Sequence, residues 1–485
     1  MSAAAPPGEA APGESANGGP PLSLVPDNAV LAGQALSPID GADGFAARMA
    51  ALLRSIANDL KRNDADADTE LGLEPGSFAR YVTGQLPVTW AFIEHVARRW
   101  PVNERDLLPV HNDVPRGVLV VGAESSQASG RIIDRGSGPY YRYCDTATTR
   151  LASYRPELIE MLVHVDDSSP DNSRVAWNEG HLLYQFTYFV GDINYYFQDR
   201  AGRRHCVAMS TGDSVWGAPW APHSFTARGL RPAHILALTY GTGLVGDPQQ
   251  ELSALGAEAC HSLMAGHSDR SPLPGVMNSQ LMTTDELAAR TDLPAERVAD
   301  LASRPDTASL AELGLLASAL GVPRSALLPV LDDPTATVNL ARRAASIEWH
   351  YPPSYRVRRL AHDSFNEDTS ALELTVLDSG PGERIATHQH SYLYVLSANS
   401  LDIRWTFAGQ DHQEVLGSGD SLYVVPGVGL SFAVPPGEEA TVVVLRVGGA
   451  VGSRSRAVVA GFAPQALRRY LSEDRVWYTA RDGVA

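Results

Sequence analysis

The feature that most constrains this chain is an internal repeat. GDSVWGAPWAPHSF at 212–225 and GDSLYVVPGVGLSF at 419–432 share Gly-Asp-Ser, a later Pro and a final Ser-Phe at an offset of 207. Leu107-Leu108-Pro109-Val110 and Leu327-Leu328-Pro329-Val330 close two helical blocks in the same way. Self-similarity at a fixed spacing marks a duplicated structural unit, so the chain must fold as two like halves.

Each half reads as helix first and strand second. Residues 39–112 open on FAARMAALLRSIANDL, with apolar residues at helical spacing, and break at ELGLEPGS, VTGQLPV and RRWPVN. Several short helices with tight turns predict a helix-turn-helix-like domain. Residues 251–335 repeat the pattern in TTDELAARTDLPAERVADL and SLAELGLLASALGVPRSALLPV. The blocks 113–250 and 336–485 read as β, as in YQFTYFVGDINYYFQ, HILALTYG, ALELTVLDSG and ATVVVLRVGG. Many short strands with Gly and Pro turns predict a jelly-roll barrel of the cupin type. The expected fold is therefore α+β, a tandem repeat of helical domain plus cupin barrel, behind an Ala/Pro/Gly-rich tail at 1–38 that is expected to be disordered.

Composition narrows the function. With 39 basic and 56 acidic residues among 485, a net charge of −17 disfavours nucleic acid and anionic membrane as partners. No run of about 18 apolar residues offers a spanning helix. No secretory signal is visible, and Cys144, Cys206 and Cys260 are scattered and odd in number. A cytoplasmic protein without disulfides is expected. Among the basic residues one alone is lysine, Lys61. A flexible ammonium that binds an anion is the functional reading of that survivor.

The chemistry concentrates in the first β block. His181 and His223 are candidate imidazole ligands, and Gln185 stands where a facial triad would place a carboxylate. A straight strand would hold positions 181 and 185 about 13 Å apart. The chain must bend there, and Gly180 permits it. In the second copy Leu430 replaces His223, while His388 and His390 have no distal partner. The first block is thus expected to be the functional one.

Helical domain plus cupin with His-x3-(Glu or Gln)-x37-His resembles the non-haem iron phosphonate enzymes: hydroxypropylphosphonate epoxidase, hydroxyethylphosphonate dioxygenase and methylphosphonate synthase. The resemblance runs from Lys61 to about Tyr240, and the duplication matches the two-copy members. It implies Fe(II) on His181, Gln185 and His223, without haem or 2-oxoglutarate. It implies phosphonate contacts at Arg135 and Tyr143, a substrate-holding amide at Asn178 and a closing lysine at Lys61. The best-known dioxygenases carry their carboxylate six residues before the distal histidine, where this chain has Gly217. Glutamine at 185 resembles the synthase and a subset of the dioxygenases.

The resemblance implies attack by O2 on 2-hydroxyethylphosphonate, with cleavage of C1–C2. Oxygen rebound then gives hydroxymethylphosphonate and formate, and hydrogen capture gives methylphosphonate and CO2. Tyr184 and Phe186, flanking Gln185, are the expected product-determining residues, their bulk favouring the dioxygenase outcome. A homo-oligomer is compatible with the sequence. The competing class is a helix-turn-helix/cupin transcription regulator. Residues 40–112 carry eight basic against eleven acidic side chains, and 275–330 four against seven. That charge balance is the wrong footprint for phosphates.

Overall fold

The computed structural model describes residues 41–477 apart from 137, 153, 230, 242–244, 266–270, 329–336, 352–353, 364–365, 367, 378–379, 381, 450–451, 464–465, 467–469, 472 and 474. The tail expected at 1–38 lies outside the described residues, as do Pro329 and Val330 of the second repeated tetrapeptide. The chain divides into two compact units, 1–112 with 462–485, and 113–461.

The first unit is helical: α1 (Gly41–Asp59), α2 (Asp64–Leu71), α3 (Ser77–Val82) and α4 (Trp90–Arg99). Asn63 caps α2 through the Asp66 N–H, and Gly72 ends it in the left-handed region. Buried Asp68 accepts from the Gly76 and Phe78 amides and so fixes the turn between α2 and α3. Leu53, Leu71, Phe78, Ile93 and Val96 fill the core behind them. The C-terminal segment returns to α1. Arg48 donates to the Glu473 carboxylate at 2.6–2.9 Å, the Ser55 hydroxyl donates to the Glu473 carbonyl, and the Trp477 amide donates to Asn58. Residues past 461 thus join the first unit, although in sequence they continue the last β block.

Among the described residues the second unit holds twenty strands. The first ten are β1 (Val118–Val121), β2 (Arg131–Arg135), β3 (Gly138–Asp145), β4 (Tyr154–Met161), β5 (Tyr184–Val190), β6 (Ile193–Gln198), β7 (Arg204–Met209), β8 (Ser214–Gly217), β9 (His223–Ala227) and β10 (His234–Tyr240). The short helices α5 (Asp247–Leu255), α6 (Ala257–Ala265), α7 (Leu273–Ser279), α8 (Thr284–Thr291), α9 (Ala295–Ser303) and α10 (Leu310–Leu320) follow. The second ten are β11 (Val338–Ala341), β12 (Glu348–His350), β13 (Tyr355–Arg359), β14 (Thr369–Val376), β15 (His390–Ser397), β16 (Leu401–Phe407), β17 (Gln410–Leu416), β18 (Ser421–Val424), β19 (Ser431–Ala433) and β20 (Ala440–Val447).

They form two seven-stranded sheets, β11-β8-β5-β10-β4-β3-β2 and β1-β18-β15-β20-β14-β13-β12, with three-stranded sheets β7-β6-β9 and β17-β16-β19. Every pairing between these strands is antiparallel. In the first half the small sheet packs on the large one through Phe189, Tyr195, Phe225 and Ile235. The leading strand of each half crosses over: β1 pairs with β18 of the second half, and β11 with β8 of the first. Boundaries at 113 and 336 therefore divide the sequence but not the sheets.

Strand alternation sets what lies on each face. Along β5, Phe186 and Tyr188 face a core shared by the two halves, with Trp216, Leu238, Tyr392, Tyr423 and Leu445. In that interface Arg358 and Glu373, 2% and 3% exposed, form an ion pair to which the Tyr188 hydroxyl donates.

Candidate metal centre

The inward face of β5 presents Gln185 and Thr187, and β9 begins at His223 on the facing small sheet. His181 comes from the loop before β5, which bends as its spacing requires. Gly180 makes the bend at φ 80°, and a Cβ there would lie 2.5 Å from the Trp220 backbone. Trp220 itself sits at φ 61°, a conformation that costs a non-glycine residue about 1–2 kcal/mol. Its amide donates to the His181 carbonyl at 2.8 Å, which ties the turn before His223 to the loop carrying His181.

The three donor side chains line one small cavity with Thr187, Tyr195 and Phe225. His181 Nε2 lies 3.0 Å from Gln185 Oε1, and the two imidazoles stand edge to face with centroids 5.3 Å apart. Thr187 fixes the amide of Gln185: its hydroxyl oxygen accepts from Nε2 at 2.9 Å, which turns Oε1 toward His181. His223 Nδ1 is 2.9 Å from the Ala221 carbonyl. With its proton there, Nε2 carries the lone pair, which accepts from Asn178 Nδ2 at 3.1 Å and is the one a metal would take. Burial, with His181 and Arg135 nearby, pushes the His223 pKa down to about 4 against the Ala221 contact, so the ring is neutral at pH 7.

Asn178 closes one side. Its Oδ1 accepts from the Gly180 amide at 3.1 Å and the His223 amide at 2.7 Å, leaving Nδ2 3.1 Å from His223 Nε2. Arg135 ends β2 with its guanidinium 4.9 Å above the Tyr141 ring. Burial raises the neighbouring Tyr143 hydroxyl despite Arg135, which keeps it a proton donor. The cavity, Arg135 and Tyr143 belong to the same half, on β2, β3, β5 and β9. Lys61 lies in the other unit, at φ 60° two residues before the cap of α2. Its Nζ donates to the Asp59 carbonyl at 2.6 Å and stands 5.1 Å from the Trp477 ring centroid.

The donor set fits a divalent cation. Two imidazoles and an amide oxygen converge, and His181 Nδ1 is buried with no hydrogen-bond partner. Among the described residues no group of three His, Cys, Asp or Glu could hold a metal, so a third ligand must come from elsewhere, and Gln185 is in place. Gly217 is the cross-strand partner of Gln185. A ligand on either strand would therefore project from neighbouring points, and a glycine at 217 leaves the space to Gln185.

Tyr184 and Phe186 do not border this cavity. They flank Gln185 in sequence, but alternation sends both through the opposite face of β5. Tyr184 stacks on Trp216 and Tyr240, and Phe186 is buried between the halves. The expectation that their bulk governs the product is corrected on that ground. Thr187 and Trp220 were missed. Thr187 was findable as the next residue on the face of Gln185, whereas nothing local announces a left-handed tryptophan.

No family model matches the chain. It is 33% identical over 448 residues to the methylphosphonate synthase of Nitrosopumilus maritimus, covering 90% of this chain and 96% of that one. A solved structure, Streptomyces albus HEPD with 2-hydroxyethylphosphonate and Fe(II) bound, superposes with a TM-score of 0.85 at 48% identity, covering 90% and 99%. Native PhpD with cadmium shares the fold at 20% identity and a TM-score of 0.69, over 87% and 98%. The chain belongs to the family of hydroxyethylphosphonate dioxygenase and methylphosphonate synthase.

Proposed function

We propose that the chain is a non-haem Fe(II) dioxygenase that cleaves C1–C2 of 2-hydroxyethylphosphonate with O2, giving hydroxymethylphosphonate and formate in phosphonate biosynthesis. The observation that carries this is the convergence of His181, Gln185 and His223 beside Arg135, in a chain 48% identical to a dioxygenase with that substrate and metal bound. Each large sheet with its small partner reads as a jelly-roll barrel of the cupin type behind a helix-turn-helix-like domain, the second barrel being degenerate. Among the described residues no helix is long and apolar enough to cross a membrane.

His181, Gln185 and His223 would hold the iron, which supplies activation of O2 when bound. All three ligands are neutral, so the cation's charge is uncompensated and a dianionic phosphonate is favoured beside it. Arg135 supplies a planar pair of donors for phosphonate oxygens. Tyr143 donates its hydroxyl, and the Asn178 amide, held by two backbone N–H groups, orients the substrate without reorganising. Lys61 would add a mobile ammonium. The products account for every atom of substrate and O2, so no reductant and no 2-oxoglutarate enter.

The test is phosphorus NMR of anaerobically reconstituted Fe(II) protein given 2-hydroxyethylphosphonate and then air. Hydroxymethylphosphonate and formate in equal amounts are expected. Methylphosphonate with CO2 would make the chain a synthase, the reading favoured by its 33% identical relative. No turnover of any small phosphonate would return the question to the regulator class.

A further inference from the structure

The second half has a cavity of about 230 Å³ where the first half has its three donors. Strand register fixes the correspondence. Gln185 pairs with Gly217 and Ser391 with Val424, and 217 and 424 differ by the repeat offset. The Asn178 amide donates to the His223 carbonyl as the Ile385 amide does to Leu430, and the Trp220 amide to His181 as that of Gly427 does to Thr387. Thr387, Ser391 and Leu430 therefore replace His181, Gln185 and His223. The walls are mainly apolar, including Leu374, Leu393, Val428, Phe432 and Val444, and among the described residues no carboxylate lines them.

One charged side chain lies among them. Arg446 on β20 is opposite Ser391, as Thr239 is opposite Gln185. Its neighbours Leu445 and Val447 face the shared core, so alternation turns Arg446 into the cavity. Its Nε is buried with no partner, and among the described residues its guanidinium has no hydrogen bond and no carboxylate counter-ion, Tyr351 on the cavity wall being its electrostatic neighbour. Burial works against its charge. A guanidinium cannot escape by deprotonating, and an unpaired one in an apolar cavity is costly.

We propose that this cavity binds a small amphiphilic carboxylate, with a body of roughly six to ten carbons against the apolar walls and its head on Arg446. The walls reject a second molecule of the phosphonate class. A dianion would meet one guanidinium, with the Thr387, Ser391 and Tyr351 hydroxyls and the Trp349 indole N–H as its other polar partners, and so would keep one charge uncompensated among apolar walls. A monoanion with an apolar body matches both the charge and the walls, whatever the chemistry of the first half.

Octanoate and octanol are the probes, titrated by calorimetry into wild type, Arg446→Met and Leu430→Phe, with thermal unfolding alongside. Octanoate is expected to bind wild type at least tenfold more tightly than octanol. Arg446→Met should erase that preference, and Leu430→Phe should weaken both by filling the space. Without ligand, Arg446→Met should melt no lower than wild type, because it removes a half-buried charge that has no counter-ion, and its turnover of phosphonate should not change. Equal affinity for the two probes, no binding of either, or octanoate binding that survives Arg446→Met overturns the proposal. So does a ligand-free Arg446→Met that melts lower, since the guanidinium would then have a partner.

Discussion

The two halves carry the same strands in the same order and differ in what projects from them. The first places His181, Gln185 and His223 around one point, and the second places Thr387, Ser391 and Leu430 there. His388 and His390 look like surviving ligands in sequence, yet one residue fewer in the loop before β15 moves His388 off the position of His181, and His390 matches no ligand position. His388 is exposed beside Asp368 and Arg456, and His390 turns to the shared core against Tyr423. The helical copies differ in the same sense. Lys61 and Leu281 each follow a helix at positive φ, 60° and 53°, two residues before a cap. The backbone strain is common to both, so what sets Lys61 apart is its charge. The comparison teaches that a frame can stand without the donor set when its strands complete the sheet of the other half. β11 of the second half borders β8, the neighbour of the strand that bears Gln185.

The largest effect that would break this contrast is loss of the metal. His223→Ala should abolish Fe(II) binding and turnover, while His388→Ala and His390→Ala should keep the iron content of wild type. Iron measured after desalting decides it. A His223→Ala protein with full iron, or a His390→Ala protein with none, would reverse the assignment of the two halves.

Next is the ion pair of the second half to which Tyr188 of the first half donates. Glu373→Ala leaves Arg358 buried without its counter-charge, which should cost about 3–5 kcal/mol in urea unfolding. Burial would raise the Glu373 carboxyl, but the Arg358 and Tyr188 hydrogen bonds hold it below the usual range. A depressed carboxylate stabilises the fold above its unfolded pKa of about 4.3, and that contribution fades as pH falls through the folded value. The advantage of wild type over Glu373→Ala should therefore be full at pH 7 and shrink below about pH 4.

The repeat, the helix-then-strand order and the three donors were legible because each is written locally: Gly-Asp-Ser with Ser-Phe, apolar spacing, and histidines followed by β-branched and aromatic runs. What escaped is non-local. The exchange of β1 and β11, the return of Glu473 to Arg48 and the Tyr188–Glu373 hydrogen bond join residues whose pairing no spacing encodes. Tyr184 and Phe186 escaped for a different reason. Adjacency in sequence is not adjacency in space on a strand, which sends neighbours to opposite faces.

That alternation gives the smallest and sharpest test, made within β5. Thr187→Val removes the acceptor that orients Gln185 and should weaken iron binding about 10–100-fold, as loss of a partner behind a ligand typically does. Phe186→Leu, on the adjacent position, should cost about 1 kcal/mol of stability from the shared core. It should leave iron affinity and the ratio of hydroxymethylphosphonate to methylphosphonate unchanged, as should Tyr184→Phe. The physical ground is that neither ring reaches the cavity: one stacks on Trp216 and Tyr240, and the other is 3% exposed between the halves. If Phe186→Leu instead shifted the product ratio, the halves would be coupled through their shared core, and the second half would act in the chemistry as well as in the frame.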